Sequence, residues 1–298
     1  MAYPAQIDVL VIWLAAKLRR VPIVMDLFIS IYDTTVVDRG LARSRSLKAS
    51  LLWRLEWLAC RAADVVIIDT DAHARYVEEL FYLPEYSVGS LPVGFEAAAF
   101  PRLPAPKTGP RPIILFYGQL IPLHGIETVL EAALSERGTA YDWIIIGSGQ
   151  EAGKVEAALG ARPPEHVTWS RWVPYAELND WIGRSDICLG IFGESRKAGS
   201  VVPNKVYQSL ACGRHVITRE SPAMDALAKD IAQGLTLVSP ASSTALLDGI
   251  EQAVRGGCTP PPLDGLHRTY SPRAIGLRMI DIFHSLPHGR HRLSWQQT

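Results

Sequence analysis

An excess of charge of either sign is what this sequence most plainly lacks: its 30 Lys+Arg are matched by 30 Asp+Glu, for a formal net charge of zero. Such a chain has no general pull toward nucleic acid or an anionic bilayer, so nucleic acid is not an expected partner and electrostatic recognition must be local. Cysteine is scarce. Cys60, Cys188, Cys212 and Cys258 stand far apart, with no C-x-x-C pair and no Cys/His cluster at metal-ligand spacing. That pattern argues against a disulfide framework and against a zinc site, and buried free thiols in a reducing compartment are the expectation. Long hydrophobic runs are missing too. The apolar stretch at 7–16 stops at Lys17, too short to span a bilayer, and it lacks the basic start and small-residue cleavage site of a signal peptide. These absences point to a cytoplasmic protein and leave peripheral membrane contact open.

What the sequence does hold is a globular composition, 48% hydrophobic and 20% charged over 298 residues, enough for two domains. The clearest break is PRLPAPKTGPRP at 101–112, Pro-rich and without apolar periodicity. It suggests an N-terminal unit at 1–103, a stiff linker at 104–112, a second unit at 113–262, and a C-terminal helix and tail at 263–298.

Beyond the break, strands and helices alternate. The apolar runs IILFY (113–117) and DWIII (142–146) read as buried parallel strands, each ending in glycine, with further strands at 167–169, 187–191, 215–218 and 235–238. Helices fall between them at 126–134, 151–159, 175–184 and 205–211. Repeated strand–loop–helix units predict a doubly wound parallel sheet, in which ligands bind beyond the carboxyl ends of the strands. The loops that start at Gly118, Gly147, Trp172, Phe192 and Thr218 should share that edge. The first hundred residues follow the same grammar, with helices at 7–18, 46–62 and 72–81 and only about three strands, at 22–27, 65–69 and 87–92. This unit looks short by its opening strands.

Four segments on the predicted edge could carry chemistry. Gly118 to Gly125 (GQLIPLHG) places a glycine after a strand and His124 before a helix, where backbone N–H groups attract phosphate; a tight turn with a surface histidine satisfies the same spacing. Gly147 and Gly149 open another helix, although a turn of two glycines needs no ligand. In VPNKVYQSLACG (202–213), Pro203 and Asn204 make a natural helix start with Asn204 as N-cap. Lys205 in the first turn opposes the helix dipole, which an anionic ligand would rationalise, and Gln208 could bond a ribose hydroxyl; a solvated Lys205 on an amphipathic helix is the plainer alternative. FGESRK (192–197) sets two cations beside a glycine, in a loop that either closes on phosphate or is simply solvated.

Taken in order, YGQLIPLHGIETVLEAA (117–133), IIIGSGQE (144–151) and VPNKVYQSLACGRHVI (202–217) resemble the retaining glycosyltransferases of family four, which have the GT-B architecture of two Rossmann-like lobes. ADVVIIDTDAHARYV (63–77) and LPVGFEAAAFPRL (91–103) are similar to that family's segments between lobes, and the likeness runs over 20–285. It implies that the second unit binds a nucleotide-diphosphate sugar of UDP or GDP type, that the N-terminal unit binds a glycan or lipid-linked acceptor, and that neither metal nor cofactor takes part. By position it puts Gly118 and His124 near the diphosphate, with Gly147 and Gly149 in the next loop. Val173 and Tyr175 fall against the base, and Asn204, Lys205 and Gln208 near the ribose and phosphates.

The departures matter as much. Many members of that family carry Arg after the first glycine and Lys before the second, where this chain has Gln119 and His124. The usual glutamates, eight residues apart, fall on Ser200 and Gln208. His124 is charged only in part near neutral pH, so Lys197 and Lys205 are expected to supply the missing positive charge. In the N-terminal unit Asp33 and His73 are the candidate catalytic residues, although a capping or core histidine fits position 73 as well.

Residues 39–61 carry six basic side chains against only Glu56, with Leu47, Leu51, Leu55 and Leu58 on one helix face. This face either rests on a membrane or packs on its own lobe. Besides transferase activity, the pattern admits a non-catalytic or partner-dependent nucleotide-sugar-binding module, or a sugar-nucleotide epimerase of the same architecture.

Overall fold

A computed structural model describes residues 5–106, 109–231 and 233–286. The expected linker includes Lys107 and Thr108, and the expected C-terminal tail continues past Leu286; those positions lie outside the described residues. The chain divides into two compact units, Met1–Val93 with Ile275–Thr298, and Gly94–Ala274.

In the first unit the order is α1 (Ala5–Arg19), β1 (Val24–Asp26), a π-helical turn (Asp33–Asp38), α2 (Leu47–Ala62), β2 (Val65–Ile68), α3 (Asp71–Leu80) and β3 (Val88–Ser90). The strands form a parallel sheet in the order β1-β2-β3. Alternation sets its two faces: Val66 and Ile68 join Met25, Val77 and Phe81 on one side, while Val65 and Ile67 pack with Ile282 on the other. Glu56 of α2 is fully buried and accepts from Ser30 Oγ (2.7 Å), Gln6 Nε2 (3.0 Å), Ile31 N (2.7 Å) and Tyr32 N (2.8 Å). Burial raises its pKa above the usual carboxylate value, against the pull of those four donors. The segment that leads to Asp33 is therefore fastened to α2 by one carboxylate.

Three of the four leucines on the expected face of α2 are open to solvent. Ala49, Glu56, Ala59 and Cys60 are the buried side, Leu55 is half-buried, and Leu47, Leu51 and Leu58 are 91%, 66% and 48% exposed.

The second unit holds β4 (Ile113–Tyr117), α4 (Ile126–Leu134), β5 (Asp142–Ile146), α5 (Ala152–Leu159), β6 (Val167–Ser170), α6 (Leu178–Arg184), β7 (Ile187–Leu189), α7 (Arg196–Ser200), α8 (Asn204–Ala211), β8 (His215–Arg219), α9 (Pro222–Ile231), β9 (Leu235–Val238), α10 (Ser243–Arg255) and α11 (Leu263–Tyr270). Its six strands are ordered β6-β5-β4-β7-β8-β9, every neighbouring pair parallel. Branched and aromatic residues suit such doubly covered strands, and Ile114, Phe116, Trp143, Ile145 and Leu189 are all buried in one core. α4 adds Ile126, Val129, Leu130 and Ala133, spaced along one face. Register brings Tyr117, Ile146 and Ser170 level, so the loops that follow β4, β5 and β6 start from one edge. Chain direction across the sheet reverses between β4 and β7, the position where doubly wound sheets open a crevice for ligands.

The Pro-rich stretch lies against this unit: the Leu103 N–H donates to Cys212 O (3.2 Å), and Arg214 donates to Pro104 O (2.5 Å). The helix expected at 175–184 begins as a 3-10 turn, Tyr175–Glu177. All four cysteines are free, but Cys258 is only partly buried, against the expectation for it.

Candidate active site

Gly118 N donates to Ile146 O (2.9 Å) and Leu120 N to Ser148 O (3.0 Å), so the loop after β4 lies on the loop after β5. Gly147 makes that possible. Its φ is +144°, and a Cβ there would stand 1.8 Å from Gly118 O. A Cβ on Gly149 would lie 2.7 Å from Leu120 O. Loop packing thus accounts for both glycines. Gly118, with φ +134°, is different, because the atoms its missing Cβ would meet belong to side chains: His124 Cε1 at 3.2 Å and Nδ1 at 3.6 Å, and Lys205 Nζ at 3.7 Å. Residues far apart in sequence meet at one small cradle.

Lys205 is 5% exposed, which removes the solvated alternative. Its Nζ has no hydrogen-bond partner and lies 3.8 Å from the centroid of the Phe116 ring. Burial lowers its pKa well below the ordinary lysine value. The position follows from the helix start, although not with the cap expected: Pro203 is the capping residue, no side chain caps the end, and exposed Asn204 is the first helical residue. Beside it, His124 Nδ1 is also buried without a partner. Burial first and the nearby Lys205 second lower the His124 pKa to about 2, against a hydrogen bond with the Gln119 backbone. The partial charge expected near neutral pH is therefore corrected: in this setting the ring is neutral. Native folds rarely leave one buried polar nitrogen unpaired. Here two lie within 4 Å of the point where a Gly118 Cβ would stand, an arrangement suited to holding an anion.

Tyr117, at the end of β4, fixes the helix that carries Lys205. Its hydroxyl lies 3.1 Å from Lys205 O, 3.2 Å from Gln208 Oε1 and 3.1 Å from Ser209 Oγ. Gln208 is thus tied to the same edge. The segment at 192–197 is not a solvated loop: Phe192 is fully buried, Lys197 is 7% exposed, and Ser195 caps α7 by accepting from Ala198 N. Arg219 at the end of β8 holds it from behind, through Gly193 O and through Ser195 O at 3.5 Å. Sequence reasoning missed Arg219 and Tyr117, whose roles depend on neighbours supplied by other strands. α7 packs on the turn bearing His124, where Ala198 meets Leu123 and Ile191. Val173 is half-buried and Tyr175 is 59% exposed, its ring edge-on to Phe100 at 5.7 Å. Both follow β6, at the far side of the same edge.

In the first unit, His73 is 2% exposed, and its Nδ1 lies 2.6 Å from Asp69 Oδ1. Its Nε2 is buried and without a partner. Thr70, not His73, caps α3, by accepting from His73 N. Asp33 is buried and accepts from Tyr76 Oη at 2.5 Å, and the Tyr76 ring stacks on His73 with centroids 6.1 Å apart. Asp33 and His73 therefore belong to one cluster. The sequence did not reveal Asp69, although its place just after β2 and four residues before His73 was the available signal. Among the described residues, no group of three His, Cys, Asp or Glu is arranged to hold a metal ion.

Residues 111–255, within the second unit, match the family described as Glycosyl transferases group 1. A comparison with curated protein sequences finds no match. Among solved structures, sucrose-phosphate synthase from Thermosynechococcus elongatus is similar over 92% of this chain and 71% of that one, at 17% identity and TM-score 0.71. Anabaena HepE in complex with UDP is similar over 94% and 77%, at 14% identity and TM-score 0.69. A glycosyltransferase from Rickettsia africae is similar over 97% and 83%, at 13% identity and TM-score 0.61. These likenesses show the fold, which is of GT-B type.

Proposed function

We propose that this chain transfers a sugar from a nucleotide-diphosphate donor to a carbohydrate or lipid-linked acceptor, without a metal ion and with retention of configuration, as in family four. The observation that carries the reading is the cradle at Gly118, where His124 Nδ1 and Lys205 Nζ are buried and unpartnered. A diphosphate there supplies both missing partners, the His124 ring taking up a proton at Nδ1 as the anion binds. As the bond from the sugar's anomeric carbon to the diphosphate oxygen breaks, its electron pair stays on that oxygen, and fixed positive groups stabilise the growing charge. The acceptor hydroxyl oxygen forms the new bond to the anomeric carbon and gives up its proton to the departing diphosphate oxygen. Lys205 and His124 are the diphosphate ligands, Gln208 and Asn204 the ribose-side groups, and Val173 and Tyr175 the base-side groups. Lys197 adds charge from α7. In the first unit, His73 held by Asp69 is the acid–base candidate, with Asp33 beside it. UDP is favoured over GDP, since HepE has been solved with UDP and with UDP-glucose.

Calorimetry with UDP, GDP and ADP, followed by product analysis with the matching sugar nucleotide and glycan acceptors, tests the reading. Binding of one nucleotide and acceptor-dependent sugar release are expected; no binding of any of the three overturns it. The three-stranded sheet of the first unit favours a second reading, a nucleotide-sugar-binding module that turns over only with a partner protein. Nucleotide binding with neither transfer nor hydrolysis until a partner is added distinguishes that case.

A further inference from the structure

We propose that the outer face of α2 docks on an anionic phospholipid bilayer. Nothing in this depends on the nucleotide site of the second unit. Leu47, Leu51 and Leu58 fall in one stripe along the helix and are 91%, 66% and 48% exposed, while the opposite side buries Ala49, Ala59 and Cys60. Single exposed leucines are ordinary on a protein surface, but a stripe of three along one helix is not. The charges around the stripe identify what covers it. Arg43, Arg45, Lys48, Arg54 and Arg61 are all exposed. The one acid of the helix, Glu56, is turned inward and held by four donors. Every charge that this helix shows to solvent is therefore positive, on a chain whose formal net charge is zero.

That combination separates the possible occupants. A second copy meeting the first through the same face would set five cations against five cations, since a two-fold contact pairs like with like. Nucleic acid would meet the cations but leave the leucines against a polar backbone. An interface of anionic headgroups over acyl chains satisfies both at once: the leucines enter the acyl boundary and the Arg and Lys side chains reach back to the phosphates. No helix among the described residues is long and apolar enough to cross a membrane, so the contact is with the surface.

Vesicle co-sedimentation of the full chain tests this. Vesicles of phosphatidylcholine with phosphatidylglycerol should bind it, those of phosphatidylcholine alone should not, and added salt should release it. L51E with L58E should weaken binding by about tenfold or more, with an unchanged melting curve because both side chains already face solvent. R43E with R54E should weaken it separately. The proposal is overturned by no binding to anionic vesicles, by binding that ignores the leucine pair, or by a dimer in sedimentation velocity that the leucine pair abolishes.

Discussion

The ammonium of Lys205 stands 3.8 Å from the centroid of the Phe116 ring and has no hydrogen-bond partner, although the residue is only 5% exposed. A ring face offsets part of the cost of burying a cation, by about 2 kcal/mol or more when the contact is desolvated. Lys205 also lies in the first turn of α8, where the helix dipole is unfavourable to positive charge. Dipole and solvation both disfavour this side chain as it stands, and a bound anion offsets both.

Replacing Lys205 with Met should therefore move stability and binding in opposite directions. We expect K205M to be more stable than the parent by about 1–3 kcal/mol in thermal or denaturant unfolding, since it removes a buried polar group that lacks a partner. Its affinity for the nucleotide diphosphate should fall at least about tenfold by calorimetry. A destabilised K205M that still binds nucleotide normally would contradict the assignment.

The pH dependence has a definite sign. Lys205 lies well below the ordinary lysine pKa, and His124 is lowered from 6.5 to about 2. The unfolded chain, where both groups titrate normally, then binds more protons than the folded one. Unfolding is favoured by acid, and stability rises with pH through the ordinary histidine range for His124 and up to the ordinary lysine range for Lys205. An anionic ligand raises both values, so nucleotide binding should take up protons and weaken as pH rises. Calorimetry at neutral pH in two buffers of different ionisation enthalpy measures that uptake; release of protons, or none, would count against the cradle.

Two glycines near the site should respond differently to alanine. At Gly147 the new Cβ would meet a backbone oxygen at 1.8 Å, with φ +144°. G147A should lose about 3 kcal/mol or more of stability, because no side chain can move aside. At Gly118 the neighbours are His124 and Lys205. G118A should fold with a smaller loss, about 1–3 kcal/mol, and show its main defect as weakened nucleotide binding. Melting curves paired with calorimetry separate the two.

Much of the second unit was legible because its signals are local. IILFY and DWIII are short apolar runs closed by glycine, and both are strands with the expected bounds. The meeting of Gly118, His124 and Lys205 also followed from strand-end logic, since parallel strands must deliver their loops to one edge. What escaped were properties that depend on a distant neighbour. Lys205 reads as either an anion ligand or a solvated side chain, and only the fold sets it against the Phe116 ring of β4. The RKAGS segment of α7 reads as a loop until Arg219 fastens it. Glu56 reads as a stray acid in a basic helix, yet it is the acceptor for four donors. Asp69 reads as the last residue of a strand, and only the fold turns it toward His73.

Glu56 gives a further test, in the first unit. E56A removes the acceptor for Ser30 Oγ and for the backbone N–H groups of Ile31 and Tyr32. Leaving those donors buried should cost about 3 kcal/mol or more and loosen the segment that carries Asp33. Hydrogen exchange at Ile31 and Tyr32 should accelerate in E56A. Unchanged protection there would contradict the role assigned to this carboxylate.

A crystal structure of the chain with UDP addresses the central claim most directly. The prediction is a diphosphate over Gly118, with one of its oxygens within hydrogen-bonding distance of Lys205 Nζ and another at His124. A nucleotide bound elsewhere, with Lys205 still facing only the Phe116 ring, would contradict it.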